Sequence, residues 1–185
     1  MIRLSGCGVN LAYTGIHWPN AHYYEQSIMA HAERAALIAA IARLPEQLEA
    51  LVAGLSPEEL TTPFLAGEWT VAQNVHHLVD SHANSYIRCK LILTEERPPL
   101  KPYLQDAWAA TPDASDAEIG PSLAILRGLH TRWVRFWETL PDQAWERVGL
   151  HPDNGPMSLE RIVRVYANHG EAHLDQITRT LAARA

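Results

Sequence analysis

Two cysteines in 185 residues, Cys7 and Cys89, leave nothing from which to build a disulfide framework or a cysteine-ligated structural zinc site. Both thiols are expected to be reduced. No apolar run approaches the ~20 residues that span a bilayer. The opening MIRLSGCGVNLAYTGIHWPN also lacks the charged head and long apolar stretch of a signal peptide. A cytoplasmic protein with no membrane partner is the expectation. Basic residues are scarce as well: 15 Lys and Arg stand against 21 Asp and Glu, a net charge of -6. No Lys/Arg block is present to neutralise a phosphate backbone, which argues against nucleic acid as a partner.

Histidine is what the chain has in excess, ten in all, within a composition that is 47% hydrophobic and ample for one core. We expect a single domain over 1–185, with an irregular N-terminal arm at 1–25 and a helical bundle at 30–181. Apolar residues from Ala36 to Leu55 recur at three and four, interrupted by Pro45, as one kinked helix or two in line. SPEE at 56–59 and TVAQ at 70–73 are capping boxes; the second starts a helix from Val71 to about Leu93. Glu95 to Pro121, rich in proline, is a long crossover connection. Leu123 to Leu140 form a third long helix, PDQAWERVGLHPDNGP a loop with a short helical turn, and Ser158 caps a fourth helix from Leu159 to about Leu181. Four long helical patterns without credible alternating strands or a fixed-period repeat predict an all-α four-helix bundle.

Two of these helices concentrate the histidines. At 100° per residue His82 falls inside the apolar sector of the Val71 helix, as a core residue holding a hydrogen bond. His76 and Asp80, four apart, point away from that sector, which makes His76 structural or solvent-exposed. His77 shares a separate polar row with Ser81, Asn84 and Arg88. On the last helix His169 and His173 lie on the core side with Ile162, Val163, Tyr166 and Ile177. An H-x-x-x-H pair there either aims two nitrogens at one divalent cation or consists of two separately hydrogen-bonded rings. A third ligand has to come from elsewhere, and His77 is on offer; three histidines with one open position describe a catalytic metal site. His17, His22, His31, His130 and His151 have no spacing partner and read as surface or hydrogen-bonding residues. Trp133 and Trp137 read as core, and Trp108 is the better pocket candidate.

GEWTVAQNVHHLVDSHANSYIRCKLILTEERPPLKPY at 67–103, together with NHGEAHLDQI at 168–177, resembles the DinB/YfiT-like superfamily, in particular its YfiT branch of metal-dependent hydrolases. The resemblance covers about Ala30 to Leu181. It implies a four-helix bundle, a homodimer, and a metal, zinc in first place and nickel second, held by His77, His169 and His173. It also marks Trp69, Thr70, Asn84, Tyr86 and Arg88 as the neighbourhood of the site. The start of the chain has no counterpart in the family pattern.

Three functions follow as expectations. In the first, a hydrolase, the metal activates water against a small-molecule substrate. Arg88 holds an anionic group, Asn84 and Trp69 contact substrate, and Tyr86 or Asp80 are candidate proton shuttles. The wheel sets Tyr86 on the apolar side and Asp80 nearly opposite. In the second, an S-transferase, a low-molecular-weight thiol replaces the water as a metal-bound thiolate, with neither Cys7 nor Cys89 required. In the third, a binding or stress-response module, the metal only stabilises the fold.

Overall fold

Helix α1 spans Ala21–Val52 and runs through Pro45 as one helix, starting earlier than the bundle start expected at residue 30. The structure is a computed structural model that describes residues 21–184, with side chains from residue 30 onward. Of the irregular arm expected at 1–25, residues 1–20, with Cys7 and His17, and the side chain of His22 lie outside the described residues, while residues 21–25 are a correction, since they belong to α1. Ser56 caps the short α2 (Pro57–Thr61), and Thr70 caps α3 (Val71–Thr94), both through capping boxes that also use Glu59 and Gln73. The crossover contains a single short helix, α4 (Gln105–Ala109), and one 3-10 turn at Asp113–Ser115. Gly120 and Pro121, which the sequence reading leaves at the end of the crossover, form the first turn of α5 (Gly120–Glu138), where a proline's missing N–H is not needed. Ser158 caps α6 (Leu159–Ala182) by accepting from the Arg161 N–H. The four long helices α1, α3, α5 and α6 make the four-helix bundle that the sequence predicts.

α3 is the central helix, packed against α2, α4, α5 and α6, so even its polar residues Asn74, His76, His77, Ser81 and His82 are buried. Two apolar clusters surround it. One gathers Ile41, Cys89, Ile92, Trp133, Trp137, Ile162 and Val163; the other gathers Leu44, Leu48, Val75, Leu78, Leu126 and Ile177. Trp133 and Trp137 are core, as their spacing predicts. Along α3, α5 and α6 the residues between the two clusters are His82, His130, and His169 with His173, so a layer of imidazoles crosses the bundle between its apolar halves. α6 approaches α1 closely there: a Cβ on Gly170, next to His169, would stand 2.7 Å from a Leu44 methyl.

The loop predicted at 141–156 is a correction. After a 3-10 turn at Asp142–Ala144 comes an antiparallel hairpin of β1 (Val148–His151) and β2 (Gly155–Ser158), turned at Gly155 with φ 67°. Strands this short, with Gly149 and Pro156 inside them, carry no readable alternation. The hairpin clamps the start of the crossover: Leu100 N–H donates to Leu150 O, and Leu150 N–H to Pro98 O, both at 2.8 Å. Gly149 permits this, because a Cβ there would meet Leu100 at 2.7 Å and Ile92 at 2.9 Å. Gly149→Ala is therefore expected to destabilise the fold by ~1–3 kcal/mol, the range for overpacking. Chemical denaturation that shows no loss would mean that the hairpin packs elsewhere.

Candidate metal centre

α3 and α6 bring His77, His169 and His173 to one point. The Nε2 atoms of His77 and His169 are 3.3 Å apart, those of His173 and His169 3.2 Å, and a donor atom from each ring lies within 4.8 Å of the others. His173 follows His169 by a step of four residues along α6, about one helical turn, which is why both face the same spot on α3.

The donor set fits a divalent cation. His173 Nδ1 is 2.7 Å from Asn74 Oδ1, and the Asn74 amide nitrogen donates to Thr70 O at 2.9 Å, so the amide presents its oxygen to His173. His173 must then donate from Nδ1, which leaves a lone pair on Nε2 aimed at the cluster. Tetrahedral bonds of ~2.0–2.1 Å put nitrogens about 3.3–3.4 Å apart, close to the two spacings found. Burial depresses the basicity of all three rings, His77 and His173 to about 4 and His169 to about 3; neighbouring imidazolium charge adds to this for His77 and His169. All three are neutral ligands at neutral pH.

Around them, the Trp69 ring lies 4.6 Å from His77 and stacks nearly parallel to His173 at 6.1 Å. His82 Nε2 is 3.1 Å from His169 Nδ1, and His82 Nδ1 is 2.8 Å from His130 Nε2. His82 is thus the hydrogen-bonded core residue that its sector predicts, in contact with a cluster member. His130, read from sequence as having no part in the site, is buried and joined to it. His76 is buried rather than solvent-exposed: it bonds Ser122 Oγ at 2.8 Å and the Asp116 carbonyl at 3.0 Å.

A recess of about 270 Å³ opens onto His77 and His173, walled by Gly67, Glu68, Trp69, Gln105, Asp106 and Gln176. Glu68 is engaged by Arg179 at 2.9 Å. Asn84, Tyr86 and Arg88 are placed elsewhere. Asn84 donates to Asp80 O, and Arg88 donates to Lys101 O, tying α3 to the crossover. Tyr86 packs edge-on to Phe136 and lines a separate groove with Lys90 and Arg132. At 1.5 Å per residue, Arg88 is about 16 Å further along the α3 axis than His77. Trp108 packs on Tyr103, 4.7 Å between rings, while its neighbours Gln105 and Asp106 reach the recess. Burial pushes the Cys89 thiol up to about 12, so it stays protonated. Sequence reasoning missed Asn74, Asp106 and His130. For Asn74 a signal existed: an asparagine inside a helix, three residues before His77 on its own row, is a costly choice unless its side chain is used.

The chain is similar to known proteins. The sequence pattern of the DinB superfamily matches residues 40–177. YfiT from Bacillus subtilis is 39% identical over 171 residues, 92% of this chain and 93% of its own. Relatives from Bacillus cereus and Geobacillus thermodenitrificans, which share with YfiT a metal-dependent hydrolase designation, are each 44% identical, over 73% and 76% of this chain and 78% and 79% of theirs. The solved structure of Bacillus subtilis YfiT is described as that of a probable metal-dependent hydrolase with an unusual four-helix bundle topology. It matches with a TM-score of 0.77 at 36% identity, covering 91% of each chain.

Proposed function

Because the chain belongs to the DinB superfamily, we propose that it is a metal-dependent hydrolase of a small molecule, with His77, His169 and His173 holding one divalent cation. The observation that carries the reading is the convergence of three neutral imidazoles on one point beside a recess. Nitrogen donors at this spacing suit zinc first, with nickel as the second choice. Held by His77, His169 and His173, such a cation would supply a water of lowered pKa, ~7, and a Lewis acid for a carbonyl oxygen.

The chain's own residues supply the rest. Trp69 shields one side of the cluster and offers substrate a flat apolar wall. Asp106, exposed on α4 and lining the recess, is the carboxylate to which this reading assigns the proton of the attacking water. The lining residues offer carboxylates and amides, and among the described residues no Lys or Arg lines the recess, so a neutral or cationic polar substrate fits better than an anionic one. Asp106→Asn is expected to lower kcat ~10²–10⁴-fold, the range for a lost general base, with metal content unchanged. Unchanged kcat would remove Asp106 from the mechanism. A homodimer in the cytoplasm goes with this reading and is checked by light scattering and fractionation.

The class of reaction is tested by turnover of ester, amide and lactone panels by the zinc-loaded protein in ordinary buffer. Thiol consumption with an epoxide or haloalkane, and no turnover with water alone, would replace hydrolysis by thiol transfer.

A further inference from the structure

Pro45 lies inside α1 and has no N–H, so the carbonyl of Ile41, four residues earlier, has no helical donor. His130 of α5 supplies one, with Nδ1 2.7 Å from that oxygen. A carbonyl can only accept, so the proton sits on His130 Nδ1, and the neutral ring keeps a lone pair on Nε2. His82 Nδ1, 2.8 Å from that lone pair, must donate to it. His82 Nε2 is then an acceptor, and His169 Nδ1, 3.1 Å away, must donate in turn. The last ring is left with its lone pair on Nε2, the atom that faces His77 and His173. In water an imidazole favours the proton on Nε2, which at His169 would cap the ligating atom.

We propose that His130 and His82 are positioning residues of the metal centre: a three-ring relay anchored on the Ile41 carbonyl holds His169 in its ligating tautomer and thereby sets the site's affinity for its cation. The proposal rests on the reading of His169 as a ligand. It makes the proline of α1 part of the site's construction, since an ordinary residue at 45 would bring its own N–H to the Ile41 carbonyl. Hydrogen-bonded partners behind a ligating histidine are worth 10–100-fold in metal affinity where they have been removed, and here the partner is itself held by a second ring.

Nitrogen-15 histidine spectra of the metal-free protein are expected to show the proton on Nδ1 of His130, His82 and His169. A proton on His169 Nε2 overturns the relay without any mutation. Zinc competition with a chromophoric chelator then compares three variants. His130→Leu is expected to weaken zinc binding 10–100-fold. His76→Leu, which removes a buried histidine with two hydrogen bonds outside the relay, is expected to leave it within about twofold, although both lose stability. Equal zinc affinity in His130→Leu and the unaltered protein overturns the proposal. His169→Ala separates the two levels: if it binds zinc as tightly as the unaltered protein, the ligand assignment fails, and this proposal with it.

Discussion

Replacing any one of His77, His169 or His173 by alanine is expected to strip the protein of its divalent metal and of its hydrolytic turnover. Two imidazoles hold a cation poorly, and the loss of a direct ligand should exceed the 10–100-fold that follows from removing the partner behind one. Affinity is expected to fall more than a hundredfold. Elemental analysis of the purified variants, beside His76→Ala, reads the outcome. His76 is the internal control because it is adjacent in sequence to His77, equally embedded in α3, and bonded to Ser122 and Asp116 instead of the cluster. Full metal occupancy in all three ligand variants would show that the cation sits elsewhere. The metal should also report on itself through stability, since a ligand bound only by the native state at a hundred times its Kd adds ~2.7 kcal/mol.

Acid should destabilise the metal-free protein well before its carboxylates titrate. Burial holds His130 at about 4, and His82 well below its ordinary value, whereas both would titrate near 6.5 in the unfolded chain. Between these values the unfolded state binds more protons than the native one, so stability rises with pH. The contribution is complete above pH ~6.5 and is lost as pH falls toward 4, at up to ~1.4 kcal/mol per unit for each ring. His130 alone accounts for about 3 kcal/mol over that window. Asp80 works in the opposite direction, because burial raises its carboxyl. Urea midpoints measured at half-unit steps from pH 7.5 to 4.5 should fall steeply below 6.5. In His130→Leu the slope should be shallower by roughly one proton. A flat profile down to pH 5 would mean that the imidazole layer is open to water.

The bundle and the three converging histidines are legible in the sequence because they depend on local rules. Ser56, Thr70 and Ser158 announce helix starts through the backbone donors they satisfy, and the four-residue step from His169 to His173 is fixed by helix geometry. A wheel gives direction, however, and not what lies in that direction. His76 points away from the apolar sector of α3, yet it is covered by the turn at Asp116 and by Ser122. Arg88 and Asn84 share the row of His77 but rise too far along the axis to reach it. Residues whose role depends on another element's arrival were out of reach: Asp106 comes from the crossover, and His130 has no partner within its own helix. Pro45 shows this most clearly. Its sequence signature is a break in periodicity, while its consequence, a carbonyl left for His130, exists only once α1 and α5 have packed.

The central claim is that three Nε2 atoms, from His77, His169 and His173, are the protein ligands of one divalent cation. Crystals of the zinc-loaded protein measured above and below the zinc absorption edge test it most directly. The account predicts a single strong anomalous peak bonded to those three nitrogens at ~2.0–2.1 Å, with one further position facing the Trp69 and Asp106 recess. A peak at another place, or one bonded through Nδ1 of His169, would contradict it.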